Sequence, residues 1–152
     1  MTKKTKDEDS AGSKAVLIAK EQVYEVADAK FVQSIQLAFM FITNVTMVDE
    51  GKRHLLGLDG DIKLKGAIME NFFEMFTYFT EKPEFDFMAN VLSNVSSLQE
   101  GRVFLIEEGM LAKIVAIAKE QAKRVPALVN KQRLKHLIEC IRNCCFEYEK
   151  YE

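Results

Sequence analysis

The 152-residue sequence has no tryptophan, two prolines and three cysteines. So little proline, with seven glycines, excludes a collagenous or low-complexity chain. Three cysteines are an odd number, two of them adjacent at Cys144 and Cys145, so no disulfide framework is expected and a reducing compartment fits better. No excess of one charge exists either: 21 Lys and Arg stand against 23 Asp and Glu, a net of −2. The overall basic footprint of a nucleic-acid binder is therefore missing. The longest charge-free run, 31–48, covers 18 residues and is interrupted by Gln33, Ser34, Gln36, Thr43, Asn44 and Thr46. A membrane span needs about 20 mostly apolar residues, so this run reads as a buried helix of a soluble protein. Residues 1–13 lack the apolar stretch of a secretory leader. Residues 1–12 are expected to form a polar, mobile tail.

What is present is a repeat. Asn44-Val45-Thr46, followed by Glu50-Gly51-Lys52 and Leu55-Leu56, aligns without gaps on Asn94-Val95-Ser96, Glu100-Gly101-Arg102 and Leu105-Ile106, 50 residues on. A third copy of the asparagine position, Ile141-Arg142-Asn143-Cys144-Cys145, follows 49 residues later. The apolar spacing is helical throughout: Met88, Val91, Leu92, Val95 and Leu98 form one stripe, and Phe31, Ile35, Phe39, Ile42 and Thr46 form its counterpart. Leu134, Leu137, Ile138, Ile141 and Cys145 form the last stripe. Pro83 marks a helix start, Gly109 a break and Pro126 a helix end. No segment alternates with period two, so no sheet is expected. Each unit reads as a short, a medium and a long helix, with repeats at 49–98 and 99–148 and a partial one at 13–48. Such units bury both faces only by stacking, which predicts an all-α solenoid with a right-handed superhelical stack. The last stripe ends apolar and sulfur-rich, as expected of a piece of a longer array.

Leu92-Ser93-Asn94-Val95, then Glu100-Gly101-Arg102-Val103-Phe104-Leu105-Ile106 and Gly109, resembles an armadillo repeat. The stretch 87–96 with Glu100-Gly101-Arg102, and the string Ile141-Arg142-Asn143-Cys144-Cys145-Phe146-Glu147, together resemble the HGH homolog (brain protein sixteen) family of armadillo type. The resemblance implies a cytoplasmic, non-enzymatic adaptor that helps translation elongation factor two to fold by linking it to the cytosolic chaperonin. It covers an N-terminal to middle portion of that family. A generic armadillo scaffold, gripping another protein or an extended peptide in its concave groove, is the alternative.

The asparagine column Asn44, Asn94 and Asn143 is the foremost binding candidate, with Asn90 and Arg142 beside it. An amide offers a donor and an acceptor, matching the N–H and C=O of a peptide. In armadillo proteins the matching Asn lines the concave groove. Equally, each Asn can bond the backbone of its own or the next repeat. Peptide-binding importers of this fold carry Trp four residues earlier, where Met40, Asn90 and Glu139 stand here, so an indole-lined groove is not expected.

Between Lys113 and Arg142 eight basic side chains face two acidic ones, a net of +6. Lys123, Arg124, Lys131, Arg133 and Lys135 are read as a basic surface. It is either a solvated helix face or a site for an acidic protein, with nucleic acid the less favoured partner.

Chemistry-bearing patterns are few. His136, Cys140 and Cys144 share a helix face, but two turns rise about 12 Å, too far for all three to reach one zinc ion. Buried apolar cysteines are the expectation, and no cofactor is expected. No phosphate loop, Gly-x-Ser-x-Gly or His-Glu-x-x-His motif occurs. Asp59-Gly60-Asp61 is too short for a calcium loop and reads as a turn and cap. Phe72, Phe73, Met75, Phe76, Tyr78 and Phe79 surround one helix, which is expected to be buried between neighbours.

Overall fold

The computed structural model describes residues 29–60, 65–78, 82–123 and 131–146. The expected tail at 1–12, the helix expected from residue 13, and Asp61, Phe79, Arg124 and Pro126 lie outside the described residues. Every regular element among the described residues is helical: α1 (Ala29–Val45), α2 (Asp49–Leu55), α3 (Ala67–Tyr78), a 3-10 turn (Pro83–Phe85), α4 (Asp86–Ser97), α5 (Gln99–Glu107), α6 (Met110–Lys123) and α7 (Lys131–Cys144). The chain divides into two compact units, Met1–Ser34 and Ile35–Glu152, and the helix packing lies within the second.

α2, α3 and α4 form one set of three helices and α5, α6 and α7 a second. The first helix of each is short, 7 and 9 residues. The described parts of the other two span 12 and 12, then 14 and 14 residues. Pro83 opens the 3-10 turn, and the α-helix proper of α4 begins at Asp86.

Local chemistry repeats from set to set. Extended Val48 (φ −106°, ψ 152°) and Leu98 (φ −87°, ψ 139°) precede the two short helices, so each enters after a sharp change of direction. Asp49 and Glu50 at the start of α2, and Lys52, Arg53 and His54 at its end, complement the helix dipole. Gly57 (φ 67°) closes α2, with its N–H donating to the His54 carbonyl and that of Leu58 to the Arg53 carbonyl. That is the Schellman arrangement, and it needs the left-handed backbone glycine tolerates. Gly51 and Gly101 are required for another reason. A Cβ at either would fall onto the carbonyl oxygen of Val45 or Val95, because each short helix crosses the end of the preceding helix backbone to backbone.

The core runs along α4. Met88, Ala89, Val91, Leu92 and Val95 are fully buried, as are Leu105, Ile114, Leu137 and Cys140 on the helices that follow. Burial of each large apolar side chain contributes about 1.5–3 kcal/mol. α4 and α7 share the most extensive interface, and α6 packs on α7. Phe39 meets the edge of Phe85 at 5.4 Å and lies 5.5 Å from Phe72. α3 is not buried all round: Met69, Phe73 and Phe76 face inward, while Ile68 and Met75 are exposed.

Every long-range side-chain hydrogen bond between described residues spans 44 to 51 positions, one repeat length. All but the Lys52–Ser97 bond, which joins α2 to α4 within the first set, link one set of helices to its sequence neighbour.

Candidate functional site

The asparagine column lies on α1, α4 and α7, the helices that precede the turns at Val48, Leu98 and the end of α7. The Asn94 Nδ2 donates to the Thr43 carbonyl at 3.2 Å and to the Thr46 Oγ1 at 3.1 Å. The Asn143 Nδ2 donates to the Ser96 Oγ at 3.1 Å. Thr46 and Ser96 are equivalent positions, and each hydroxyl gives its own proton to a carbonyl one turn back, Ile42 or Thr43 and Ser93 respectively. Its lone pairs are thereby left to receive the amide. The Asn94 Nδ2 thus gives both protons to α1, whereas the Asn143 Nδ2 gives one to α4. Their Oδ1 atoms accept nothing from described residues. Asn44 is exposed and its side chain has no hydrogen-bond partner among the described residues; Asn90 is half-buried and Arg142 exposed.

A polar cluster beside the column escaped the sequence reading. The Ser93 Oγ donates to the Glu139 Oε2 at 3.2 Å, and the His136 Nδ1 lies 2.9 Å from the same oxygen. Burial pushes the Glu139 carboxyl up, but hydrogen bonds from His136 and Ser93 outweigh it and hold it below the ordinary carboxylate value. The carboxylate stands between hydroxyl and imidazole, so it ties α4 to α7. The missed signal was Glu139 at the fourth position before Asn143, where Asn90 stands before Asn94.

The basic end divides. Lys123 is exposed and paired with Glu120 at 3.1 Å, Lys131 is exposed, and Lys135 is exposed 3.8 Å from Glu139. Arg133 does not belong to that surface. Its side chain is buried, with the Nε donating to the Asp86 Oδ1 at 2.6 Å, the Nη2 to the Lys82 carbonyl at 2.7 Å, and the guanidinium 5.8 Å from the Phe76 ring centre. Helix periodicity places Arg133 four residues before Leu137 on the inward stripe, and charge alone hid that.

Among the described residues no group of His, Cys, Asp and Glu could hold a metal ion, and no helix is long and apolar enough to cross a membrane. Cys140 and Cys144 are buried. The hydrogen bond with Cys144, together with burial, pushes the Cys140 thiol far above the ordinary cysteine value. Leu58, Val103 and Phe104 floor a cleft of about 520 Å³ rimmed by Glu100, Glu107 and Glu108. Arg53 bridges to Glu100 at 2.5 Å across the mouth of successive short helices.

Every regular element among the described residues is thus helical. Residues 29–152 match the family model described as domain of unknown function DUF383, and the chain belongs to that family. No curated protein and no solved structure matches the sequence.

Proposed function

We propose that the chain is a non-enzymatic, cytoplasmic protein-binding adaptor built as an armadillo-like α-solenoid. The observation that carries the architecture is the uniform span of the long-range hydrogen bonds, 44 to 51 residues. In a solenoid each repeat touches only its neighbours, so bonds of one repeat length are what stacking produces. The adaptor role, in folding of elongation factor two on the cytosolic chaperonin, is supported by the family resemblance of the 87–102 and 141–147 segments. Exposed Lys123, Lys131, Lys135 and Arg142 supply a basic face for an acidic protein surface.

A generic scaffold is the second reading. The asparagines favour neither a peptide groove nor its absence by donor chemistry alone, since both amides already bond a neighbouring helix. Calorimetric titration of the purified chain with elongation factor two, at two salt concentrations, separates the readings. Saturable binding that weakens as salt rises is the expected result, because exposed charges are screened over about 10 Å at 0.1 M ionic strength. Absence of binding at about tens of micromolar, a range ordinary adaptor contacts exceed, overturns the elongation-factor reading for this chain.

A further inference from the structure

Lys52 and Arg102 stand 50 residues apart at matching positions of the repeat, and both reach Ser97, the last residue of α4. The Lys52 side chain is only 9% exposed, and its ammonium donates to the Asp49 Oδ1 at 2.7 Å and to the Ser97 Oγ at 2.8 Å. The Arg102 Nη1 donates to the Ser97 carbonyl at 3.1 Å and to the Ser96 carbonyl at 3.3 Å. One cation therefore meets the Ser97 hydroxyl from α2, and a second meets its carbonyl from α5. The hydroxyl gives its own proton to the Asn94 carbonyl at 2.7 Å, so toward Lys52 it acts as an acceptor. Ser97 is nonetheless exposed. The matching residue 50 positions earlier is Met47, so the turn into α2 forms without a hydroxyl there. Two cations are more than a neutral hydroxyl calls for, because a buried cation gains most from an anionic acceptor. A phosphate brings nearly two negative charges and three acceptor oxygens, and it orders a segment when it stands opposite such cations. α5 opens two residues after Ser97 with no side-chain cap, and its positive end favours an anion at that place. The negative end of α4 and the carboxylates of Asp49 and Glu100 oppose it. Asp49 is already paired with Lys52, and Glu100 with Arg53 at 2.5 Å.

We propose that Ser97 is a phosphorylation site whose phosphate is received by Lys52 and Arg102. The step is a phosphoryl transfer from ATP, carried out by a protein serine kinase. The Ser97 Oγ forms a bond to the γ-phosphorus, and the bond from that phosphorus to the β–γ bridging oxygen breaks. ADP leaves, and the hydroxyl proton passes to the base of the kinase. Little structure has to open for this, since Ser97 is exposed in the final turn of α4 and Leu98 after it is already extended (ψ 139°). Glu100, three residues beyond the target, suits a kinase that selects acidic sequences. Once in place, the phosphate joins α2 to α5 across the end of α4 and stiffens the junction of the two short helices. The inference rests neither on elongation factor two nor on the solenoid reading.

Treatment of the full chain with ATP and a purified acid-directed serine kinase, followed by fragmentation mass spectrometry, reads the modification directly. One phosphate should be found on Ser97, and Ser97→Ala should lose it. The full chain made with phosphoserine encoded at position 97 tests reception of the phosphate apart from its delivery. Its phosphorus resonance should titrate at least ~0.5 pH unit below the value of roughly 6 for a free phosphoserine, since adjacent cations favour the dianion. Lys52→Met and Arg102→Gln should each return that midpoint part of the way toward the free value. A phosphate that merely projects into solvent would titrate as the free one does in all three proteins. Circular dichroism matching the parent shows that the variants fold, and Arg102→Gln carries the test if Lys52→Met does not. No phosphate on Ser97 after kinase treatment, an unshifted midpoint, or a shift that the folded variants leave intact overturns the proposal.

Discussion

Arg133 is a cation in a core. Its planar fork reaches a carboxylate, a main-chain carbonyl and an aromatic face at once, while its Nη1 has no hydrogen-bond partner among the described residues. A lysine has one point charge and cannot reproduce that geometry. Arg133→Ala is expected to cost about 3 kcal/mol or more, as removing one member of a buried pair does, whereas exposed Lys131→Ala should stay within about 0.5 kcal/mol. Urea unfolding of both variants checks the contrast. The glycines divide in the same way. Gly101→Ala places a Cβ against the Val95 carbonyl, a backbone atom that cannot swing aside, and about 1–3 kcal/mol of overpacking is expected. Gly109→Ala meets open space, so only the strain of a positive φ (66°) remains, about 1 kcal/mol. Equal losses in thermal unfolding would refute the close-approach argument. The glycine at position 101 was visible in the sequence; the reason for it, the Val95 carbonyl, was not.

Between elements, α4 and α7 are joined by polar bonds at three levels: Asp86 to Arg133, Ser93 to Glu139 and Ser96 to Asn143. The middle one titrates. Burial raises the Glu139 carboxyl and the His136 and Ser93 hydrogen bonds more than reverse it, leaving its folded value below the 4.5 of a free glutamate. A depressed carboxyl stabilises the fold at pH above its unfolded value, and that stabilisation is lost as pH falls through the folded value. The urea midpoint of the wild type should therefore decline on acidification below pH 4.5, and Glu139→Gln should flatten that part of the decline. Identical acid slopes in the two proteins would remove Glu139 from the account. The helices were legible in apolar spacing, and the asparagine column in simple alignment. Which neighbour each amide meets depended on Thr46 and Ser96, whose part as acceptors no periodicity announces.

The Asn94-to-Thr46 bond returns one repeat length on as Asn143-to-Ser96, so under the proposed stacking local stability should follow position in the series. α4 is covered from both sides, by α1 through Asn94 and by α7 along its length, whereas Leu37 and Phe41 of α1 and Ile138 of α7 are exposed. Native-state amide exchange should accordingly be slowest in α4, faster in α7 and in the described part of α1. Uniform protection across the three helices would mean that the unit opens only as a whole and would contradict nearest-neighbour stacking.

The sequence by itself determined where helices form, how often the pattern returns and which glycines recur with it. Those properties depend on residues a few places apart, and a 3.6-residue period or a recurring glycine records them directly. Only the tertiary structure decided that Arg133 is a core residue, that the Asn94 and Asn143 amides hold neighbouring helices together, and that Glu139 lies between Ser93 and His136. Each of those depends on a partner some 45 to 50 residues away or on burial by it, and the free energy of a charge or an amide is set by what it meets in space.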